Sequence, residues 1–138
     1  DHIIYCSEKI QKIMHEVYPN LQYPAESVII NAIPIEEIKK KAEENISDLP
    51  KNPVFVSIGR LHTRKGYHKL MDAHFQLLKD GFPHSVLIIG DGEELPNLLA
   101  QQKKLGVTET FVFAGNKMNP YPYLKNADFF IMPSESEA

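Results

Sequence analysis

The residues best suited to chemistry form a short basic loop. Residues 59–66 have the sequence GRLHTRKG, which places the cations Arg60, Arg64 and Lys65 just before a predicted helix. Free N–H groups at a helix N-terminus attract anions, Arg can bind phosphate through two hydrogen bonds, and Lys adds a point charge. The loop therefore suits a phosphate group, and a basic surface turn is the alternative.

Two glutamates follow a later strand candidate. Glu135 and Glu137 come after the apolar stretch 128–132, at the sheet edge where the basic loop is also expected. Carboxylates accept hydrogen bonds from the paired hydroxyls of a sugar. Cations in one loop and carboxylates in another indicate a phosphorylated sugar or a nucleotide as the ligand, and solvated glutamates are the alternative.

Several other kinds of site are missing from the sequence. Residues 90–92 (GDG) form only part of the GxGxxG dinucleotide motif, and no GxxxxGK[ST] phosphate loop occurs. Asp91 and Glu93 fit a helix start better than a divalent-metal site, because negative charge stabilises a helix N-terminus. The six histidines lack zinc-ligand spacing, and His62 and His68 are expected at the surface, so the sequence predicts no metal centre.

Composition narrows the class of protein. Of the 138 residues, 43 % are hydrophobic and 24 % are charged, which is typical of a folded globular domain. A formal charge of −3 argues against nucleic acid as a partner, and no apolar run approaches the roughly 20 residues of a membrane span. The single cysteine, Cys6, excludes an internal disulfide and is expected to be buried in a strand.

Strand and helix candidates alternate along most of the chain. Strands are predicted at 3–6, 28–30, 54–58, 85–89, 110–113 and 128–132, and helices after Ser7, after Pro34, and at 66–79, 93–104 and 122–126. Runs such as VLII at 86–89 are apolar without alternation, which favours parallel strands covered on both faces. Right-handed crossovers then bring the loops at 59–65, 90–94, 114–121 and 133–138 to one ligand-binding edge of an α/β sheet.

The order of the motifs resembles the retaining glycosyltransferases of family 4. Their GT-B fold has two Rossmann-like domains with the active site between them. The segments that carry the resemblance are VFVSIGR (54–60) with KG (65–66), LIIGDG (87–92), VFAG (112–115) and NADFFIMPS (126–134). Glu137 stands where the family has the first Glu of an E-x7-E motif, and Pro34 replaces an Asp of the family's interdomain segment.

This resemblance implies a fold class and a set of donor-binding residues. The fold would be a Rossmann-like parallel sheet flanked by helices, from the truncated C-terminal half of a GT-B enzyme. The donor nucleotide sugar would be bound by Gly59, Arg60, Lys65, Asn116, Lys117 and Glu137. In this assignment Arg60 and Lys65 hold the diphosphate, Asn116 and Lys117 lie by the base, and Glu137 contacts the sugar. No catalytic residue is assigned, and neither a cofactor nor a metal is expected.

The resemblance also implies how the chain is organised. Residues 1–26 would be a remnant of the acceptor domain with its linker, and residues 27–138 a partial donor-binding domain. The parent enzyme would transfer a sugar from UDP or GDP to a glycan or lipid-linked acceptor with retained configuration. The chain alone would be inactive, and residues 3–17 would favour self-association through an exposed apolar face. The expected location is cytoplasmic, including the inner face of a membrane.

Two other functions remain open at this point. A non-catalytic nucleotide- or phosphate-binding module would need only the basic loop. A nucleotide-sugar epimerase would share the architecture, but the order of the Asn-Ala-Asp motif (126–128), the Pro-Ser motif (133–134) and Glu137 favours the transferase. Donor base, sugar and acceptor are not specified by the residues.

Overall fold

The computed structural model describes residues 1–50 and 53–135, and the chain divides into two compact units, Asp1–Ile35 and Glu36–Ala138. The first unit contains β1 (His2–Tyr5), α1 (Glu8–Val17) and β2 (Ala25–Val28). The two strands are parallel, with His2 opposite Ala25 and Tyr5 opposite Val28. Ser7 caps α1 as expected, because its Oγ accepts a hydrogen bond from the Ile10 N–H at 3.3 Å.

A carboxylate organises the polar side of this first unit. Glu26 on β2 accepts hydrogen bonds from the Tyr5 hydroxyl at 2.8 Å and the Gln11 side-chain amide at 3.0 Å, and His15 Nε2 lies 3.0 Å away. Burial, followed by the bond to Glu26, raises the pKa of Tyr5 to about 12. The charged carboxylate therefore ties both strands to the helix.

Two expectations for this unit are wrong. Cys6 is exposed, because β1 ends at Tyr5 and the thiol follows the strand. Residues 28–30 do not form a buried strand, since β2 ends at Val28 and Ile30 is 75 % exposed. The two units, which divide after Ile35, are defined by contacts within the chain. They do not test whether residues 1–26 belong to the acceptor domain of a longer enzyme, which stays a prediction.

The second unit is a parallel α/β sheet. Its elements are α2 (Ile35–Ala42), β3 (Val54–Ile58), a 3-10 turn (Thr63–Lys65), α3 (Tyr67–Lys79), β4 (Ser85–Ile89), α4 (Leu95–Leu105), β5 (Phe111–Phe113), α5 (Tyr121–Asn126) and β6 (Phe129–Phe130). The strand order is β5-β4-β3-β6, with every pair parallel. The predicted strand and helix alternation is confirmed.

Alternate residues of β4 enter opposite faces of the core. Val86 and Ile88 pack with the cluster that includes Phe111, whereas Leu87 and Ile89 pack with the cluster that includes Tyr123. All five residues of β4 are buried, which explains why its sequence is apolar without alternation.

The last strand is shorter and more exposed than expected. β6 has two residues, Phe129 and Phe130, and both are more than half exposed. Asp128 fixes its entry, since its carboxylate accepts a hydrogen bond from the Val54 N–H at 2.7 Å. Among the described residues β6 pairs only with β3, so it lies at the sheet edge and buries little surface.

Two buried histidines form a directed hydrogen-bond chain within this unit. His84 Nδ1 lies 2.8 Å from the Phe82 carbonyl, which can only accept, so His84 must donate there. Neutral His84 then accepts at Nε2 from His74 Nδ1 at 2.8 Å, and the Thr110 hydroxyl donates to His74 Nε2 at 2.9 Å. Burial, with a smaller contribution from His84, lowers the pKa of His74 to about 4. The network therefore favours neutral His74.

This network should make stability depend on pH. The pKa of His74 is lowered from 6.5 to about 4 on folding, so below pH 6.5 the unfolded chain binds a proton that the folded chain does not. The contribution of His74 is complete above pH 6.5 and is lost as the pH falls toward 4. Since the slope reaches about 1.4 kcal/mol per pH unit only below pH 6.5, the free energy of unfolding should drop by about 1.5 kcal/mol between pH 6.5 and 5, measured by urea denaturation.

A pair of variants tests the assignment to His74. His74→Gln should flatten the slope between pH 6.5 and 5, and His68→Gln, on the same helix but partly exposed, should keep the wild-type slope. An unchanged slope in His74→Gln would show that another group causes the pH dependence.

Candidate functional site

The loops after β3, β4 and β5 are hydrogen-bonded to one another beyond the ends of the strands. The Gly59 N–H donates to the Ile89 carbonyl at 3.0 Å, and the Gly90 N–H donates to the Gly115 carbonyl at 2.9 Å. Leu61 continues the pattern by donating to the Asp91 carbonyl at 2.9 Å. These bonds hold the three loop starts close together at the carboxyl edge of the sheet.

Two glycines permit this close approach. Gly90 has φ +144°, and a Cβ added there would overlap the Gly59 carbonyl oxygen. Gly66 has φ +69°, and a Cβ there would overlap the Pro133 carbonyl oxygen. Residues with a Cβ rarely adopt these backbone conformations, so both positions need glycine. The basic loop therefore touches the loop after β4 on one side and the Pro133–Ser134 segment on the other.

A cleft of about 260 Å³ opens at this edge. It is lined by Ile58, Gly59, Arg60, Ile89, Gly90, Asp91, Asn116, Lys117 and Pro120. The structure thus brings together four of the six predicted donor-binding residues: Gly59, Arg60, Asn116 and Lys117. Lys65 lies in the 3-10 turn of the same loop, outside this lining. Glu137 lies outside the described residues.

Arg60 is held by a carboxylate that sequence reasoning assigned only to a helix start. Arg60 Nε and Nη2 lie 3.1 Å and 3.0 Å from Glu93 Oε2, and His62 Nε2 lies 3.7 Å from Glu93 Oε1. A hydrogen bond from its own backbone N–H lowers the pKa of the Glu93 carboxyl most, and Arg60 lowers it further. Since the Arg60 side chain is 71 % exposed, the ion pair is weak enough for a phosphate to displace.

Lys117 is held by Asp48, a residue that sequence reasoning missed. Lys117 Nζ lies 2.8 Å from Asp48 Oδ2 and 5.2 Å from the centre of the Tyr123 ring. The Tyr123 hydroxyl donates to both Asp48 oxygens, at 2.8 Å and 2.9 Å. The bond to Lys117, followed by that to Tyr123, lowers the pKa of Asp48, and Asp48 in turn raises the pKa of Lys117. Asp48 precedes Tyr123 by 75 residues, so no local sequence signal links them.

Glu135 has a partner in the protein. It forms an ion pair with Lys69 on α3, and its backbone N–H donates to the Arg64 carbonyl at 2.9 Å. Lys69 lowers the pKa of the Glu135 carboxyl. The structure therefore uses Glu135 to connect the last described loop to the basic loop.

His62 helps to shape the basic loop itself. Its Nδ1 accepts a hydrogen bond from the Arg64 N–H at 3.1 Å and caps the 3-10 turn.

Within residues 1–50 and 53–135, no group of three or more His, Cys, Asp or Glu side chains could hold a metal ion. No helix in the same ranges combines the length and the apolar character that crossing a bilayer requires.

Comparison with known proteins gives related sequences. The family model of the glycosyl transferases group 1 matches residues 38–138. A Campylobacter jejuni protein is 34 % identical over 110 residues, which cover 80 % of this chain and 29 % of that protein. Its name is N-acetylgalactosamine-N,N'-diacetylbacillosaminyl-diphospho-undecaprenol 4-alpha-N-acetylgalactosaminyltransferase. The lipopolysaccharide core biosynthesis glycosyltransferase LpsE of Rhizobium meliloti is 40 % identical over 86 residues, covering 62 % of this chain and 24 % of LpsE.

Solved structures resemble the chain over nearly its whole length. Anabaena HepE in complex with UDP matches with a TM-score of 0.69 at 22 % identity, covering 96 % of this chain and 38 % of HepE. The chain spans about a quarter to a third of the curated relatives it matches. The expected fold, a Rossmann-like parallel sheet of the GT-B type, is confirmed. Because the family model matches most of its length, the chain belongs to the glycosyl transferases group 1 family.

Proposed function

We propose that the whole protein is a retaining glycosyltransferase of family 4 that transfers a sugar from a nucleoside diphosphate sugar. The observation that carries the proposal is the cleft at the carboxyl edge of the sheet, where Arg60 and Lys117 line the same glycine-bounded pocket. HepE, whose fold is similar, has been solved in complex with UDP and with UDP-glucose. The retained configuration and the assignment to family 4 rest on the motif order.

Five of the six donor-binding residues contact the donor in this proposal. Arg60 and Lys65 bind the diphosphate, Asn116 and Lys117 form the wall beside the base, and Glu137 contacts the sugar. Arg60 suits this role because its guanidinium already holds a carboxylate, Glu93, which an arriving phosphate can replace. UDP and GDP both fit the proposal, and no metal or cofactor is part of it.

The acceptor is proposed to be a glycan or a lipid-linked sugar. The printed name of the Campylobacter relative includes a diphospho-undecaprenol-linked sugar, and that of the Rhizobium relative includes lipopolysaccharide core biosynthesis. A cytoplasmic location, including the inner face of a membrane, follows from such acceptors.

Residues 1–26 are proposed to belong to the acceptor domain. Ile10, Ile13 and Val17 on α1 are each more than a third exposed in the first unit, which is consistent with an apolar face that a larger domain would cover. Self-association through residues 3–17 rests on the same observation and stays a prediction.

Loss of either proposed phosphate ligand should weaken donor binding. Charged hydrogen bonds contribute roughly 1.5–3 kcal/mol each, so Arg60→Ala or Lys65→Ala should weaken UDP or GDP binding about 10-fold to 100-fold. Titration calorimetry at low salt measures the effect. Lys104→Ala, which removes an exposed charge from the last turn of α4, is the matched control and should change affinity less than about threefold.

Removal of the competing carboxylate should act in the opposite direction. Glu93→Gln frees Arg60 and should tighten diphosphate binding by about twofold to fivefold, the size expected for an exposed ion pair. Glu94→Gln, at the neighbouring position, controls for the change in net charge.

Equal losses from Arg60→Ala, Lys65→Ala and Lys104→Ala would indicate a diffuse basic surface and contradict the assignment of Arg60 and Lys65 as phosphate ligands.

The isolated chain should bind donor without transferring sugar. It spans about a quarter to a third of its curated relatives, and transfer requires a cleft that positions donor and acceptor together. The chain is incubated with labelled UDP- and GDP-sugars and an added acceptor, and the label that moves from the nucleotide to the acceptor measures transfer. Robust transfer by the chain would contradict this prediction, and binding of pyrophosphate as tight as that of a nucleotide sugar would favour a non-catalytic phosphate-binding module.

The stereochemistry can be tested on the whole protein. If the mechanism is retaining, the initial product has the anomeric configuration of the donor, which proton NMR of the early reaction mixture reports. An inverted product would remove the protein from family 4.

A further inference from the structure

The cleft wall formed by residues 115–120 is tethered to a distant segment of the same unit. Asn119 Nδ2 donates to the Lys41 carbonyl at 2.8 Å and to Glu44 Oε2 at 2.6 Å. Lys125 Nζ, in the helix that follows the wall, lies 2.6 Å from Glu43 Oε2. Residues 41–48, which we call the tether segment, thus contact the wall and its helix from outside the cleft.

Asp48 makes the tether that reaches a side chain of the cleft. Its carboxylate accepts from the Lys117 ammonium and from the Tyr123 hydroxyl, and Tyr123 is 95 % buried beneath the sheet. Lys117 is therefore held between a fixed ring and a carboxylate that the same ring orients. Its side chain is only 27 % exposed although it lines the cleft.

No residue of the wall is fully buried, and outside the tethers its Gly115 carbonyl accepts a hydrogen bond from the Gly90 N–H. Met118 at its centre is fully exposed, and Asn119 and Pro120 are only partly buried. A loop with few buried apolar contacts needs little free energy to leave its folded conformation. The hydrogen bonds and ion pairs of the tether segment therefore determine how much of the time the wall keeps that conformation. A ligand that binds a mobile wall must also order it, which weakens binding.

We propose that Asp48 is a positioning residue for the nucleoside side of the donor site. It holds Lys117, and through Lys117 the wall at 115–120, in the shape that receives the nucleoside. Asp48 does not line the cleft, so it acts through Lys117 and not by touching the ligand. This inference rests on the proposed function.

The geometry separates this role from that of the basic loop. The described bonds of the Arg60 side chain and of the backbone at 59–64 lead to Ile89, Asp91, Glu93, Glu94 and Glu135, not to the tether segment. Loss of Asp48 should therefore leave the phosphate subsite intact. It should weaken recognition of the part of the ligand that contacts the wall.

The test compares a nucleotide with pyrophosphate. Asp48→Ala should weaken binding of UDP or GDP, whichever the wild-type chain binds more tightly, by about threefold to tenfold, and leave pyrophosphate binding within about 1.5-fold. Glu36→Gln removes a carboxylate whose ion pair is with Lys39 on the same helix and not with the wall, and it should bind both ligands as the wild type does. Calorimetry supplies both affinities for each variant, and a thermal melt confirms that each one is folded.

Two further variants keep the test decisive if Asp48→Ala is unstable. Asp48→Asn retains an oxygen that can accept one hydrogen bond and should give an intermediate nucleotide loss. Tyr123→Phe removes the hydroxyl that orients Asp48 and should weaken the nucleotide in the same direction. In a Lys117→Ala background, Asp48→Asn should have no additional effect, because the two residues would act as one unit.

The outcomes distinguish this inference from the proposed function. A wild-type chain that binds neither pyrophosphate nor either nucleotide would contradict the proposed function itself. Wild-type binding that Asp48→Ala leaves unchanged, or equal losses of nucleotide and pyrophosphate, would overturn the positioning role alone.

Discussion

The close approach of the backbones of β3 and β4 beyond their last residues is the constraint on which the candidate site depends. The Gly59 carbonyl lies where any side chain at position 90 would stand, and the Gly90 N–H donates in turn to the Gly115 carbonyl. Three loops therefore begin at one point and diverge, and the cleft is the space between them. A larger residue at position 90 would separate the loops and take Arg60 away from the wall that carries Lys117.

Carboxylates neutralise several of the cations around this cleft. Arg60 pairs with Glu93, Lys117 with Asp48, and Lys69 with Glu135. A protein with a formal charge of −3 has no general attraction for anions, so an anionic ligand must be recognised locally. The exposed pair of Arg60 is easily exchanged for a ligand, whereas the pair of Lys117 is braced by the Tyr123 ring and hydroxyl. In the proposed donor site the two cations would therefore contribute in different ways, Arg60 by contact with the ligand and Lys117 by the shape of the wall.

The buried polar network of His74, His84 and Thr110 involves residues just before β4 and β5, away from the cleft. Each of its members has a hydrogen-bond partner, and its direction is set by the Phe82 carbonyl. The sheet thus combines an apolar interior with a satisfied polar cluster near the start of the strands and exchangeable ion pairs near their ends. The buried polar cluster and the proposed ligand site thus lie at different ends of the same strands.

Much of the fold followed from the sequence, because local patterns encode it. The apolar run at 86–89, the glycines after β3 and β4, and the cap at Ser7 each act over a few residues, so the parallel sheet and its ligand edge could be predicted. The rule that parallel strands end at one edge predicted that the loops at 59–65 and 114–121 lie together, and the family resemblance singled out Gly59, Arg60, Asn116 and Lys117 within them. The partners of these residues could not be predicted, since Glu93 is 33 residues from Arg60 and Asp48 is 69 residues from Lys117. The exposure of Cys6 and of β6 likewise depends on where a strand ends and which neighbours it has. Only the tertiary structure decides these features, because side-chain pairing across a sheet is a matter of position in space and not of spacing along the chain.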